Sequence, residues 1–165
     1  MNNSPPSGVE IERKFLVDRL PGELPAGEPI EQGYLVVGED GVEVRVRRRG
    51  EVTTLTVKSG PAMVRTEEEI PIEERRFETL WPLSKGRRVT KTRHLIPLGG
   101  DLAAELDVYS GAHEGLLTAE IEFPSLEASE AFRPPEWLGR EVTGDRRFAN
   151  QALALDGRPP HNSGA

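Results

Sequence analysis

The chain has 165 residues, a formal net charge of −7 and no cysteine. Its length suits one domain with a buried core, and the missing cysteine excludes disulfides, thiolate catalysis and zinc-finger sites. The acidic balance argues against a polynucleotide partner, because binding a polynucleotide needs a surface that neutralises many phosphates. We find no apolar run of membrane-spanning length and no signal-peptide pattern, so we expect a cytoplasmic protein without a membrane partner.

Short alternating runs separated by Gly, Pro and Asp predict a mostly antiparallel β protein. Residues 1–8 and 157–165 are rich in Pro, Ser, Asn and Gly, and we expect them to be disordered tails around one domain at residues 9–156. The predicted strands are Val9–Val17, Ile30–Val37, Val42–Arg48, Thr53–Ser59, Val64–Ile72, Arg87–Ile96, Leu102–Tyr109 and Leu117–Phe123. The predicted helices are Glu73–Trp81, Ser125–Phe132 and Arg146–Leu155. This order predicts an α+β fold with a closed eight-stranded antiparallel β-barrel, a tunnel, and a few short flanking helices.

The first predicted strand carries two carboxylates and one ammonium on one face. Alternate residues of a strand point to the same side, so Glu10, Glu12 and Lys14 share a face opposite Ile11 and Phe15. A close pair of carboxylates suits a hard divalent cation such as Mg²⁺, and a neighbouring lysine can bind phosphate as a point charge. Taken alone, the strand fits a charged face in water better than a metal site.

The polar faces of the later strands are sorted by the sign of their charge. Cations share a face at Arg45/Arg47 and Lys91/Arg93, and anions share one at Glu105/Asp107 and Glu120/Glu122. A sandwich with solvated polar faces would also alternate, but exposed ion pairs contribute little, so a solvated surface gains little from this sorting. A barrel with a charged lumen uses it directly, with a metal on the acidic side and phosphates on the basic side.

In chain order these motifs resemble those of the CYTH, or triphosphate tunnel metalloenzyme, superfamily, and in particular its short bacterial inorganic triphosphatase-like members. The resemblance begins at Glu10-x-Glu12-x-Lys14 and covers about residues 9–155. It continues through Gln32-Gly33-Tyr34-Leu35, Val44-Arg45-Val46-Arg47, Leu55-Thr56-Val57-Lys58, Arg65-x-Glu67-x-Glu69, Lys91-Thr92-Arg93, Glu105-x-Asp107, Ala119-Glu120-Ile121-Glu122 and Thr143-Gly144-Asp145-Arg146-Arg147-Phe148. The opening motif is weak by itself, but the ordered set is specific.

The resemblance implies a metal site, a phosphate site and a proton-transfer pair. The implied ligands of Mg²⁺ or Mn²⁺ are Glu10, Glu12, Glu120 and Glu122, with Asp107 as a further ligand. The implied phosphate-binding residues are Lys14, Arg45, Arg47, Lys58, Lys91 and Arg93. Tyr34 lies where short bacterial members have a tyrosine that pairs with the motif lysine, although it equally fits an ordinary barrel aromatic. Glu67 and Glu69 either orient the basic side chains or form plain cross-strand ion pairs.

The function implied by the resemblance is metal-dependent hydrolysis of inorganic triphosphate or a related small triphosphate, with release of phosphate. One alternative is a class IV-type adenylate cyclase, which converts ATP to cyclic AMP and pyrophosphate and would need an adenine pocket; we find no aromatic cluster for one. Another is a non-catalytic polyphosphate-binding module, although every expected acidic position is filled. The expected partner is a small anionic triphosphate and not a nucleic acid, and the barrel exterior leaves surface that a homodimer could bury.

Overall fold

The computed structural model describes residues 11–59 and 66–160, and in this part of the chain eight strands form one antiparallel sheet. The strands are β1 (Ile11–Leu16), β2 (Gly27–Val37), β3 (Glu43–Arg49), β4 (Val52–Ser59), β5 (Thr66–Pro71), β6 (Arg88–Gly99), β7 (Leu102–Ser110) and β8 (Leu117–Phe123). The helices are α1 (Glu74–Leu80), α2 (Leu126–Ala131) and α3 (Asn150–Asp156). All eight predicted strands are confirmed within a few residues, apart from the beginnings of the first and fifth, which lie outside the described residues.

Neighbouring strands in the sheet follow the order β1-β8-β7-β6-β2-β3-β4-β5. Tight turns join several of them, as at Gly99 and Gly100 between β6 and β7. Both glycines have positive φ angles, 104° and 57°, which side chains with a Cβ rarely adopt. The turn at this point sets the register in which β6 faces β7.

The prediction of a closed barrel is not confirmed. Among the described strands no ladder joins β1 to β5, so these two are the edges of the sheet. The edge of β1 that does not pair with β8 is hydrogen-bonded to residues 139–142. The Leu16 amide donates to the Arg140 carbonyl over 2.9 Å, and the Val142 amide donates to the Lys14 carbonyl over 2.8 Å. Because these bonds occupy the edge that a closing strand would need, β5 keeps only β4 as a neighbour.

The predicted helix at Arg146–Leu155 is wrong as a single element. Residues 146–148 form a 3₁₀ turn, and α3 begins only after Ala149, whose extended ψ angle of 145° breaks the helix. In one continuous helix, Phe148 and Leu153 would point about 140° apart. The break lets both be buried, at 4% and 0% exposure. Asp145 is the N-cap of the 3₁₀ turn, because its carboxylate accepts from the Arg147 amide over 3.1 Å.

Apolar side chains form two clusters, one on each face of the sheet. The outer cluster packs residues of β1, β7 and β8, such as Phe15, Leu106 and Ile121, against α2 and the segment around Leu138. The inner cluster joins Tyr34, Val89, Tyr109 and Leu116 to Leu153 and Ala154 of α3. Helix α3 therefore closes one end of the space inside the curled sheet. No helix in residues 11–59 or 66–160 is long and apolar enough to cross a membrane.

Candidate active site

The inner face of the sheet encloses a cavity of about 340 Å³, a size within the range of small-molecule sites. Its lining residues are Glu12, Ile30, Gln32, Arg45, Arg47, Lys58, Glu67, Glu69, Lys91, Arg93, Glu105, Glu120, Glu122 and Asn150. All eight strands contribute to this set, including both edge strands, so the sheet curls around the cavity without closing. Only Ile30 is apolar, which makes the cavity a site for a highly charged ligand.

The lining is sorted by charge, as the alternation along the strands predicts. The five basic side chains come from β3, β4 and β6, and the six acidic ones come from β1, β5, β7 and β8. We call the first group the basic wall: Arg45, Arg47, Lys58, Lys91 and Arg93. We call Glu12, Glu105, Glu120 and Glu122 the acidic wall. The two remaining carboxylates, Glu67 and Glu69 on β5, face the basic wall.

The part of the basic wall on β3 and β4 has weakly held counterions. Arg47 lies 3.4 Å from Glu69, and Lys58 lies 3.7 Å from Glu67. The nearest carboxylate to Arg45 is that of Glu43 at 4.0 Å, and the Arg45 Nε is a buried donor that has no hydrogen-bond partner among the described residues. Burial, followed by the charge of Arg45, lowers the pKa of Arg47. An anion in the cavity would accept from the Arg45 Nε and would raise the pKa of Arg47.

The part of the basic wall on β6 is held by one buried carboxylate. Asp107, which is 1% exposed, accepts from Lys91 Nζ over 2.6 Å and from Arg93 Nε over 2.8 Å. Burial alone would raise the pKa of Asp107, but Arg93 and Lys91 outweigh it and hold the pKa below its ordinary value. Burial also lowers the pKa of Lys91, and Asp107 offsets part of that effect. Asp107 therefore fixes the positions of two cations that line the cavity.

The acidic wall places like charges directly opposite one another. Glu12 of β1 faces Glu122 of β8, and Glu120 of β8 faces Glu105 of β7. Directly opposed like charges destabilise a sheet. Two cations already contact this wall: Arg93 pairs with Glu105, and Lys14 Nζ lies 2.9 Å from Glu120 Oε1 and also donates to the Phe148 carbonyl over 2.8 Å. Lys14 thus contacts the acidic wall instead of joining the basic one.

The donor chemistry of the acidic wall fits a hard divalent cation, since carboxylate oxygens are the ligands that Mg²⁺ prefers. In the described ranges, however, no group of three or more acidic or histidine side chains is already arranged around one point. Of the predicted ligands, Glu12, Glu120 and Glu122 line the cavity together. Glu10 lies outside the described residues, and the oxygens of Asp107 are bonded to Lys91 and Arg93.

Tyr34 lies in the inner apolar cluster and does not line the cavity. Its hydroxyl accepts from Gln32 Nε2 over 2.6 Å. Burial, followed by the charge of Glu43, raises the pKa of Tyr34 to about 12. Within the residues that the structure describes, no hydrogen bond joins Tyr34 to Lys14, so the predicted pair is not in contact in this conformation.

Three polar lining residues, Gln32, Glu105 and Asn150, have no role in the predicted site. Gln32 and Glu105 each lie two positions before a residue of interest, Tyr34 and Asp107, and strand alternation places them on the inner face. Asn150 has no such signal, because the sequence predicts it inside a continuous helix. Only the break at Ala149 turns it toward the cavity.

The fold and the cavity define an α+β protein whose single antiparallel sheet curls around a charge-sorted polar site. No family model matches the chain. An inorganic triphosphatase of Nitrosomonas europaea is 48% identical over 148 residues, which are 89% of this chain and 97% of that protein. One of Acetivibrio thermocellus is 38% identical over 149 residues, 88% of this chain and 93% of that protein. A crystal structure of an inorganic triphosphatase has a TM-score of 0.78 and 45% identity, and the match covers 92% of this chain and 97% of that one.

At this identity and coverage, the chain belongs to the inorganic triphosphatase family.

Proposed function

We propose that this protein hydrolyses inorganic triphosphate in a reaction that depends on a divalent metal and releases orthophosphate. The observation that carries the proposal is the cavity itself, where the β3 and β4 part of the basic wall has weakly held counterions and the acidic wall opposes like charges. Each wall is electrostatically incomplete by itself. A metal–triphosphate complex would supply anions to the basic wall and a cation to the acidic wall. The similarity to inorganic triphosphatases supports triphosphate as the substrate.

The basic wall binds and orients the phosphates. Guanidinium groups bind phosphate through paired hydrogen bonds and lysines bind it as point charges, so Arg45 and Arg47 fix orientation where Lys58 adds charge. On β6, the hydrogen bonds that Lys91 and Arg93 donate to Asp107 hold both cations in place before the substrate arrives. In this proposal Asp107 positions the basic wall and is not a ligand of the metal.

The acidic wall would hold the metal through Glu12, Glu120 and Glu122, with Glu10 as a further ligand implied by the family resemblance. Held by these carboxylates, Mg²⁺ or Mn²⁺ would supply positive charge to the phosphates and to the departing pyrophosphate. Lys14 keeps a second positive charge at the border between the acidic wall and the 3₁₀ turn. The carboxylates that stay free of the metal orient the attacking water and accept its proton.

Tyr34 has a different role in this proposal from the one that the resemblance implies. A hydroxyl whose pKa is raised to about 12 stays protonated near neutral pH and is a poor general base. We assign Tyr34 to the packing of the inner apolar cluster and to the orientation of Gln32. We also propose that the protein is a member of the CYTH superfamily and that it is cytoplasmic.

The test is a substrate panel on the purified protein with Mg²⁺, with Mn²⁺ and with EDTA, in which every product is identified by ion chromatography. The panel contains inorganic triphosphate, ATP, thiamine triphosphate and long-chain polyphosphate. We expect inorganic triphosphate to have the highest kcat/KM, pyrophosphate and orthophosphate to be its products, and EDTA to abolish turnover. If cyclic AMP is the main product from ATP, the protein is a cyclase and the proposal is wrong. If polyphosphate binds tightly without turnover, the protein is a binding module.

A further inference from the structure

Asn150 brings a neutral amide to the cavity at the end that α3 closes. Its side-chain oxygen accepts from the Tyr109 hydroxyl over 2.9 Å and lies 3.4 Å from Lys91 Nζ. A lysine ammonium and this hydroxyl both donate here, so the amide atom that faces them is the acceptor oxygen and not the nitrogen. The two donors therefore fix the orientation of the amide, and its NH₂ group points away from them.

The surroundings of Asn150 are rigid. Leu153 and Ala154, one turn further along α3, are buried in the inner apolar cluster with Tyr34, Val89 and Tyr109. Tyr109 itself is 2% exposed, so the hydroxyl that anchors the amide has little freedom to move. A donor held in this way loses little conformational entropy when it binds a ligand.

Asn150 differs in this respect from Gln32, the other amide that lines the cavity. The Gln32 nitrogen is engaged by Tyr34, to whose hydroxyl it donates over 2.6 Å. In Asn150 it is the oxygen that is engaged within the protein, and its nitrogen makes no hydrogen bond to the described residues, while the side chain lines the cavity. The ligand that such a nitrogen recognises is an anionic oxygen.

We propose that Asn150 donates an amide N–H to a phosphate oxygen at the closed end of the cavity and so recognises one terminal phosphate of the substrate. This inference rests on the proposed function. Because α3 blocks that end, the substrate chain ends against Asn150 and does not pass through. Unlike a further cation, this donor recognises the terminal group without disturbing the charge balance that Asp107 sets for Lys91 and Arg93.

The test compares two isosteric changes of amide to carboxylate at neighbouring positions of α3. Asn150→Asp keeps an oxygen toward Tyr109 and Lys91 but replaces the donor with a charged acceptor. Gln151→Glu adds the same charge one residue away, on a side chain that does not line the cavity. The affinity of a methylene-bridged, non-hydrolysable triphosphate is measured by calorimetry with Mg²⁺, together with the thermal midpoint of each unliganded protein.

We expect Asn150→Asp to weaken binding by about 10- to 100-fold, the loss of one hydrogen bond to a charged group. We expect Gln151→Glu to leave the affinity unchanged and both midpoints to stay near that of the wild type. Equal affinity of Asn150→Asp and the wild type would overturn the inference. So would an equal loss in both variants, since that would be an effect of charge alone.

A second measurement does not depend on how the variants fold. The chain contains four asparagines, Asn2, Asn3, Asn150 and Asn162, of which only Asn150 lies in the described ranges. In wild-type protein labelled with ¹⁵N-asparagine, one side-chain NH₂ pair is expected to shift when the analogue is added. No shift in any pair would overturn the inference. If the wild type binds the analogue but does not hydrolyse triphosphate, the proposed function is refuted. The binding measurements on Asn150→Asp then still decide whether Asn150 contacts the phosphate.

Discussion

Replacing Asp107 with asparagine is the sharpest test of how the basic wall is built. The carboxylate is 1% exposed and accepts three bonds from two cations, at 2.6, 2.8 and 2.9 Å. Asp107→Asn keeps the shape and removes the charge. It also turns an NH₂ group toward Lys91 or Arg93, so a donor faces a donor in a buried space.

The expected cost comes from the cations that are left behind. Removing one partner of a buried ion pair costs about 3–5 kcal/mol, because the remaining charge is buried and uncompensated. Arg93 also bonds Glu105 and is only partly buried, so we place the loss at the lower end, about 3 kcal/mol. For a chain of this size that corresponds to a fall of roughly 6–12 °C in the thermal midpoint.

The assay is thermal unfolding without metal, combined with Mg²⁺ titration of triphosphate turnover, for Asp107→Asn and for the matched variant Glu122→Gln. Glu122 lines the cavity opposite Glu12, so Glu122→Gln should keep or raise the midpoint and weaken metal binding. Asp107→Asn should lower the midpoint and the turnover at saturating Mg²⁺. An unchanged midpoint with a large loss of Mg²⁺ affinity in Asp107→Asn would refute this reasoning and identify Asp107 as a metal ligand.

Three further substitutions test the rest of the site and its support. Arg45→Ala should lower kcat by about 10²–10³-fold, the loss of one preorganised charged contact, with the thermal midpoint preserved; an active variant would contradict its placement. Arg48→Ala should keep turnover but lose about 1–2 kcal/mol of stability in urea denaturation. The reason is that Arg48 stacks 4.3 Å above the Phe77 ring and pairs with carboxylates on the outer face. A loss of turnover as large as that of Arg45→Ala would show that the inner and outer faces of β3 are misassigned. The hydrogen bonds from Arg13 lower the pKa of Glu141, so their stabilisation is present above the ordinary glutamate pKa and is lost as the pH falls through the folded value. Urea denaturation of Glu141→Gln from pH 3 to pH 7 should therefore show a weaker loss of stability in acid than the wild type, and identical pH profiles would contradict this.

The strands and their inward faces could be predicted because alternation is a local property of the sequence. The same rule places Arg45 and Arg47 on one face, and both line the cavity. Arg48, on the opposite face, pairs with Glu31 and Glu74. Alternation indicates which face a residue occupies but not its depth. Asp107 and Glu105 share a face, yet the first is buried beneath two cations and the second lines the cavity.

The features that the sequence could not predict depend on contacts between distant residues. The edge of β1 is bonded to residues 139–142, a pairing across more than a hundred positions that no local pattern indicates. The break at Ala149 is another case, because an alanine favours helix and only the burial of both Phe148 and Leu153 explains its extended conformation. The place of Asn150 in the cavity follows from that break.

In the proposed function, the acidic and basic walls act together on one metal–triphosphate complex. The direct measurement is the affinity of a non-hydrolysable triphosphate, with and without Mg²⁺, for the wild type, Arg45→Ala and Glu122→Gln. Coupling between two ligands is reciprocal, so we predict that Mg²⁺ strengthens binding to the wild type, that Glu122→Gln loses this gain, and that Arg45→Ala binds weakly in both conditions. Binding to the wild type that is equally tight without Mg²⁺, and unaffected by Glu122→Gln, would contradict the account.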